Sequence, residues 1–202
     1  MRHIIGLLVA AVTPMSLCAA SLSVDVHNGR GSAVRDAVVY AIPEGKAPAA
    51  PKRVAVMDQK DRTFLPHVLA VQTGTAVRFP NNDDIRHQVY SFSRAKTFQL
   101  PLYKGTPASP IVFDKSGVVA LGCNIHDRMS AFVVIVDTPY FAKTDGSGRV
   151  SLRNLPPGRY VVHVWSEDRR NEPAPMNITV SGEEDRNVTF VTDVGRGLHG
   201  GP

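Results

Sequence analysis

Short runs of apolar and β-branched residues, each closed by glycine, proline, asparagine or aspartate, constrain the fold of this chain most strongly. No stretch of ten or more residues carries the apolar period of an amphipathic helix. Such runs, spaced by turn residues, are typical of the strands of a β-sandwich or barrel, so we expect an all-β protein. The predicted strands cover residues 21–26, 36–42, 67–71, 76–79, 87–92, 111–113, 118–121, 132–136, 159–165, 176–180 and 187–191.

Composition agrees with this class. The chain is 43% hydrophobic and 20% charged, which excludes a disordered chain, a coiled coil and a collagen-like fibre. Its 16 glycines and 15 prolines supply the turns between strands.

Because His27-Asn28-Gly29 is a turn signal, residues 21–26 and 36–42 are predicted to form a hairpin.

The first 20 residues have the pattern of a secretory signal peptide. Arg2 supplies the positive charge, residues 4–12 form a short apolar segment, and Ala20 closes a small-residue cleavage site. The apolar segment is well below the roughly 20 residues that span a bilayer, and Leu17 before Cys18 disfavours a lipoprotein. We therefore expect cleavage after about Ala20, a periplasmic or secreted protein, and no integral membrane segment after cleavage.

Cleavage of this segment would leave the mature chain with a single cysteine. The chain has two, Cys18 and Cys123, and only Cys123 remains after cleavage. A lone thiol in an oxidising compartment is expected to be buried, paired with another chain or bound to a metal.

Cys123, His126 and Met129 stand three residues apart on one predicted loop. A thiolate, an imidazole and a thioether form a soft ligand set that suits copper. Each residue has a simpler alternative, since a buried cysteine acts as a small hydrophobe, a loop histidine can be solvated, and Met129 can pack in the core.

A second imidazole must come from another part of the chain, because one loop cannot surround a metal ion. His87 is the best candidate, at the end of a segment that contains Asn81 and Asp83. Two histidines, one cysteine and a weak axial methionine are the ligands of blue-copper electron-transfer sites.

These residues resemble a known family. Gly122-Cys123-x-x-His126-x-x-Met129, preceded by Asn81-x-Asp83-x-x-x-His87, is similar to the cupredoxins, in particular to the amicyanin- and plastocyanin-like type 1 blue-copper proteins. Residues 64–140 also resemble the cupredoxin domains of proteins labelled methylamine-utilization proteins. This sequence departs from amicyanin at Gln88, where amicyanin has an asparagine that ties the ligand loops together.

The resemblance implies two domains. The methylamine-utilization group carries a small transthyretin-like or carboxypeptidase regulatory-like β-sandwich after its copper domain, and Thr144-Asp145-x-x-Gly148 and Leu155-Pro156-Pro157-Gly158-x-Tyr160 match that module. The expected organisation is a signal peptide at 1–20, a Greek-key cupredoxin sandwich at 21–137, the second sandwich at 138–194 and a disordered tail at 195–202.

The resemblance also implies a function. An exported protein with one type 1 copper ion bound by His87, Cys123, His126 and Met129 would carry single electrons, without being an enzyme. Its partner would be a redox protein of the cytochrome or dehydrogenase kind. Nucleic acid is not expected, since no aromatic residues are interleaved with the basic ones.

Three alternatives remain at this stage. The site could store or deliver copper without redox turnover, or it could be a degenerate site in a structural exported protein. Cys123 and His126 could instead be a nucleophile and base, although no orienting partner is evident.

His67 and His163 are expected to be structural, and Asp83, Asp84 and Asp127 to be turn residues. Arg86, Arg94, Lys96, Lys104 and Arg128 form either a solvated basic face or a docking surface for an acidic partner.

Overall fold

Strands and connecting loops make up the described part of this computed structural model, which covers residues 20–49, 53–107, 109–167, 172–181 and 186–192. No helix occurs in these ranges, so the predicted all-β class is confirmed. The predicted signal peptide and C-terminal tail lie outside the described residues, except for Ala20, the first residue of the first strand.

The strands are short, and their bounds agree with most of the predicted runs. They are β1 (Ala20–Asn28), β2 (Val38–Pro43), β3 (Val54–Val56), β4 (Asp58–Lys60), β5 (Thr63–Leu65), β6 (Val68–Gln72), β7 (Thr75–Arg78), β8 (Tyr90–Ser93), β9 (Lys96–Gln99), β10 (Ile111–Phe113), β11 (Gly117–Gly122), β12 (Ser130–Val136), β13 (Phe141–Lys143), β14 (Arg149–Leu155), β15 (Gly158–Trp165), β16 (Met176–Val180) and β17 (Arg186–Thr192).

The first sandwich is formed by two facing sheets. One has the strand order β6-β12-β11-β8-β9 and the other β10-β7-β3, with the small β4-β5 ladder beside them. Two of its pairings, β6 with β12 and β3 with β7, are parallel. The core between the sheets contains Phe64, Phe79, Phe113, Val119 and Val133, all buried.

The second sandwich faces the sheet β14-β1-β17 against the sheet β13-β2-β15-β16. Its core contains Leu22, Val24, Val39, Leu155 and Phe190. The alternation predicted in β15 is confirmed, because Tyr160, Val162 and Val164 point into this core while Trp165 contributes to another layer.

A third apolar layer joins the two sandwiches. It consists of Val38 and Trp165 from the second sandwich against Val68, Val134 and Val136 from the first. Strand β12 is therefore buried on both faces, and its alternate residues enter two different cores. Burial on both faces explains why its sequence is a continuous apolar run without polar alternation.

The structure differs from the expected hairpin at the N-terminus. β1 pairs with β14 and, in parallel, with β17, whereas β2 pairs with β13 and β15, so β1 and β2 lie in facing sheets. The Asn28 turn does form, since the side-chain oxygen of Asn28 accepts from the amides of Arg30 and Ser32. The chain then crosses to the other sheet, where β2 pairs with β13 and β15 from late in the sequence.

The same pairings change the expected division of the chain. The resemblance implies a single domain at 21–137, but residues 20–43 share sheets and a core with the C-terminal strands. The second sandwich is thus built from both ends of the described chain, and the first sandwich is inserted between β2 and β13. Local runs predict strands but do not fix the partners of those strands.

Candidate metal centre

The end of β11 and the start of β12 bring the loop residues together. Cys123 follows the last residue of β11, and Ser130 begins β12. Between them the amide of His126 donates to the carbonyl of Cys123 at 3.4 Å, and the amide of Met129 donates to that of His126 at 2.9 Å. Two successive turns therefore return the chain every three residues, which is why the three-residue spacing places these side chains near one another.

His87 comes from a different segment. It lies outside the regular strands, in an isolated bridge in which its amide and carbonyl pair with the carbonyl and amide of Tyr103 at 3.1 and 3.0 Å. Its side chain is fully buried. A buried imidazole needs hydrogen-bond or metal partners for both ring nitrogens, because an unpaired one is costly.

The donor atoms of three predicted ligands converge. Cys123 Sγ lies 3.9 Å from Nδ1 of His87 and 3.9 Å from Nδ1 of His126. The potential ligand atoms of all three residues lie within 4.8 Å of one another. Cys123 and His87 are buried, while His126 is half-buried, so the cluster reaches the surface through His126.

Met129 lies beside this cluster. Its side chain is buried in the core of the first sandwich, and it lines a small cleft together with Cys123, Gly122 and Tyr90. Gly122 is required here, because a Cβ at this position would lie 2.8 Å from the Tyr90 ring. Tyr90 thus packs directly over the residue that precedes Cys123.

Asp83 holds the second ring nitrogen of His87. Nε2 of His87 donates to Oδ2 of Asp83 at 2.8 Å, and the same oxygen accepts from the amide of Arg62 at 2.8 Å. The hydrogen bond with His87, followed by that from the Arg62 amide, holds the pKa of Asp83 well below its usual range. The carboxylate therefore stays ionised and directs Nδ1 of His87 toward Cys123.

Asn81 ties the His87 loop to its neighbour. Its side-chain nitrogen donates to the carbonyls of Ile85 and Tyr103 at 2.9 and 2.8 Å, and its oxygen accepts from the amide of Asp83. Gln88 is buried and makes no side-chain hydrogen bond with the described residues. The link that the family resemblance would place at Gln88 is thus absent there, and Asn81 braces the His87 side of the site instead.

Tyr103 and Gln59 continue this polar layer away from the ligands. The Tyr103 hydroxyl donates to the carbonyl of Phe79 at 2.7 Å and accepts from Nε2 of Gln59. Burial raises the pKa of Tyr103 to about 12, so the hydroxyl stays protonated and remains a donor. The sequence did not reveal the contacts of Asp83, Asn81 and Tyr103. The available signals were the polar segment around residues 81–84 and the Asn81-x-Asp83-x-x-x-His87 pattern.

Exposed side chains of different kinds flank His126 on the ligand loop. Ile125 is 51% exposed, and Asp127 is exposed as well. Arg86 and Arg128, which adjoin His87 and Met129 in sequence, are also exposed.

Neither His163 nor His67 belongs to the ligand cluster, whereas Asp84 and Asp127 lie in the segments that carry His87 and His126. His163 stacks on Tyr40 with ring centroids 5.0 Å apart, and burial lowers its pKa. His67 lies between the sandwiches, with Phe132 and Glu167 as neighbours. Asp84 and Asp127 are exposed, which fits the expectation of turn residues.

The donor set fits a metal ion. Bonds of about 2.1 Å to nitrogen and 2.3 Å to sulfur, at roughly 120°, separate the two donors by about 3.8 Å, close to the spacing found here. Two imidazoles and a thiolate, with a thioether beside them, match copper better than magnesium or calcium, which prefer oxygen.

Among the described residues no helix is long and apolar enough to cross a membrane.

Comparison with known proteins gives structural neighbours only. No protein-family model matches the chain, and no curated protein sequence matches it. Among solved structures, a purple cupredoxin from Nitrosopumilus maritimus is 21% identical over 41% of this chain and 99% of its own, with a TM-score of 0.37. An oxidised amicyanin variant is 19% identical over 48% and 99%, with a TM-score of 0.38. A copper-containing nitrite reductase from Thermus scotoductus SA-01 is 23% identical over 47% of this chain and 25% of its own, with a TM-score of 0.40.

Proposed function

We propose that this protein is an exported type 1 copper protein of the cupredoxin kind that carries single electrons between redox partners. The observation that carries the proposal is the convergence of Cys123 Sγ with Nδ1 of His87 and of His126, each 3.9 Å away. The same residues argue against a Cys–His catalytic pair, because Cys123 is buried and both imidazoles face it with the same nitrogen.

In the proposed function, His87, Cys123 and His126 are the strong copper ligands and Met129 is the weak axial one. Bound copper supplies the change between its cuprous and cupric states. Cys123 binds as the thiolate and each histidine through the unprotonated Nδ1. The protein's own contribution is rigidity, because Asp83 fixes one ring and two sheets fix the loop ends.

Electrons would enter and leave through His126, the half-buried ligand. Ile125, next to His126 in the chain, offers an exposed apolar contact, and Arg128 on the same loop offers positive charge. We therefore propose a partner protein with an acidic rim around its own redox centre, of the cytochrome or dehydrogenase kind. The export part of the proposal rests on the N-terminal 20 residues.

The test is an optical and electrochemical titration of the purified protein with copper. One equivalent should produce an intense visible thiolate-to-copper band and a reversible one-electron wave. Cys123→Ser should abolish the band, and the matched change His163→Gln, in the second sandwich, should leave it intact. Stoichiometric binding without a band would favour copper storage, and no stoichiometric binding would favour a structural protein.

A further inference from the structure

A chain of polar contacts connects the second sandwich to the end of the ligand loop. Ser130 directly follows Met129, and its carbonyl lies 3.1 Å from Nδ1 of His67. Nε2 of the same ring lies 2.6 Å from Oε2 of Glu167. Glu167 comes two residues after β15 of the second sandwich, whereas His67 directly precedes β6 of the first.

The role of His67 follows from the two oxygen atoms that face its ring nitrogens, the Ser130 carbonyl and Oε2 of Glu167. A carbonyl and a carboxylate both accept hydrogen bonds, so each ring nitrogen of His67 lies within hydrogen-bond distance of an acceptor. Glu167 therefore holds the ring in the orientation that reaches Ser130. We call Glu167, His67 and the Ser130 carbonyl the clasp.

Aromatic packing places the clasp on β12. The amide of Phe132 donates to the His67 carbonyl at 2.9 Å. The Phe132 ring contacts the His67 ring edge-on at 5.8 Å between centroids, and it contacts Trp165 of the second sandwich at 5.3 Å. The clasp therefore lies beside the apolar contact between Phe132 and Trp165, which joins the two sandwiches.

Ser130 is restrained from both sides. On one side it pairs with Gly122, the residue before Cys123, and on the other side it meets His67. The loop that holds Cys123, His126 and Met129 therefore ends at a residue whose position depends on β11 and on the second sandwich.

We propose that the second sandwich positions the metal-binding loop through His67 and Glu167, which act as positioning residues for the site. The part that concerns copper rests on the proposed function, and the part that concerns the loop does not. Both side chains of the ion pair are 42% exposed, so the pair adds little to global stability. Its effect falls on the geometry of the loop end.

The first experiment uses the metal-free protein and measures hydrogen exchange by NMR. Glu167→Gln and His67→Phe should each speed exchange of the Phe132 and Met129 amides, by roughly fivefold for the loss of one partly exposed charged hydrogen bond. The Met129 amide is decisive, because it bonds to the His126 carbonyl inside the loop. Faster exchange at Phe132 alone would mean that the clasp only joins the sandwiches, and it would overturn the proposal.

The matched control is Glu44→Gln. Glu44 also belongs to the second sandwich and pairs with Arg159 at 2.6 Å, at the surface. It should leave both amides unchanged. Equal acceleration by Glu44→Gln would show that any loss of charge on the second sandwich loosens the loop, which contradicts the specific role of the clasp.

The second experiment uses the copper-loaded protein. Glu167→Gln should shift the midpoint potential and the intensity ratio of the visible bands, while Glu44→Gln leaves both unchanged. Unchanged potential and bands in Glu167→Gln would contradict the proposal. A wild-type protein without a visible band would instead overturn the proposed function, and the metal-free exchange rates would still decide whether the clasp positions the loop.

Discussion

The cores of the two sandwiches bury different kinds of polar side chain. In the second sandwich, the buried polar groups include the hydroxyls of Thr138 and Thr144, which donate to backbone carbonyls of Ala41 and Val34. In the first sandwich, the buried groups include the imidazole of His87 and the thiol of Cys123, which face each other at 3.9 Å.

This difference indicates where function is located. The hydroxyls of Thr138 and Thr144 each donate their only hydrogen within the fold, so neither points to a ligand. The first sandwich instead buries His87 with one ring nitrogen held by Asp83 and the other facing Cys123. Because burying such groups is costly without partners, their convergence marks a site rather than a packing solution.

The largest expected effect in this comparison of the two sandwiches comes from a change in the core of the second sandwich. Leu22 is fully buried there, so Leu22→Ala should lower the free energy of unfolding by about 2–5 kcal/mol, measured by urea denaturation. The visible band of the copper-loaded folded protein should not change. Val191→Ala, on the same sandwich with Val191 60% exposed, should have little effect; an equally large loss there would show that the core assignment is wrong.

A change beside the ligands should have a smaller effect of a different kind. Asp83→Asn replaces the charged acceptor of His87 Nε2, so copper affinity should fall about 10- to 100-fold, measured by competition with a chelator. Asp127→Asn removes an equal charge from the exposed loop and should change the affinity far less. Equal losses in the two variants would indicate a bulk charge effect instead of a hydrogen bond to His87.

The smallest expected effect lies in the polar layer behind the site. Tyr103→Phe leaves the Phe79 carbonyl without its hydroxyl donor, and the cost should be about 1–2 kcal/mol of unfolding free energy. The control is Tyr140→Phe in the second sandwich, since the Tyr140 hydroxyl has no hydrogen bond among the described residues. Thermal or urea unfolding of both variants decides; a larger loss in Tyr140→Phe would reverse the comparison.

Much of the site could be predicted from the chain because its signals are local. Two successive turns between β11 and β12 return the chain every three residues. The three-residue spacing of Cys123, His126 and Met129 was therefore enough to predict that they lie close together. His87 was reached by a less direct argument, since it lies 36 residues before Cys123 and was chosen as the second imidazole from its polar segment. Asp83 was identified as a turn residue, which is correct for its bond to the Arg62 amide but misses its bond to His87.

The amino-acid sequence by itself determined the all-β class, the positions of most strands and the group of candidate ligands. Only the tertiary structure decided that β1 and β2 join the second sandwich, that β12 is buried on both faces, and that Glu167 reaches His67. The physical reason is the range of the interactions. Strand propensity and turn spacing act over a few residues, whereas sheet partners and contacts between sandwiches join segments far apart in the chain, 100 positions for His67 and Glu167 and 165 for His27 and Thr192.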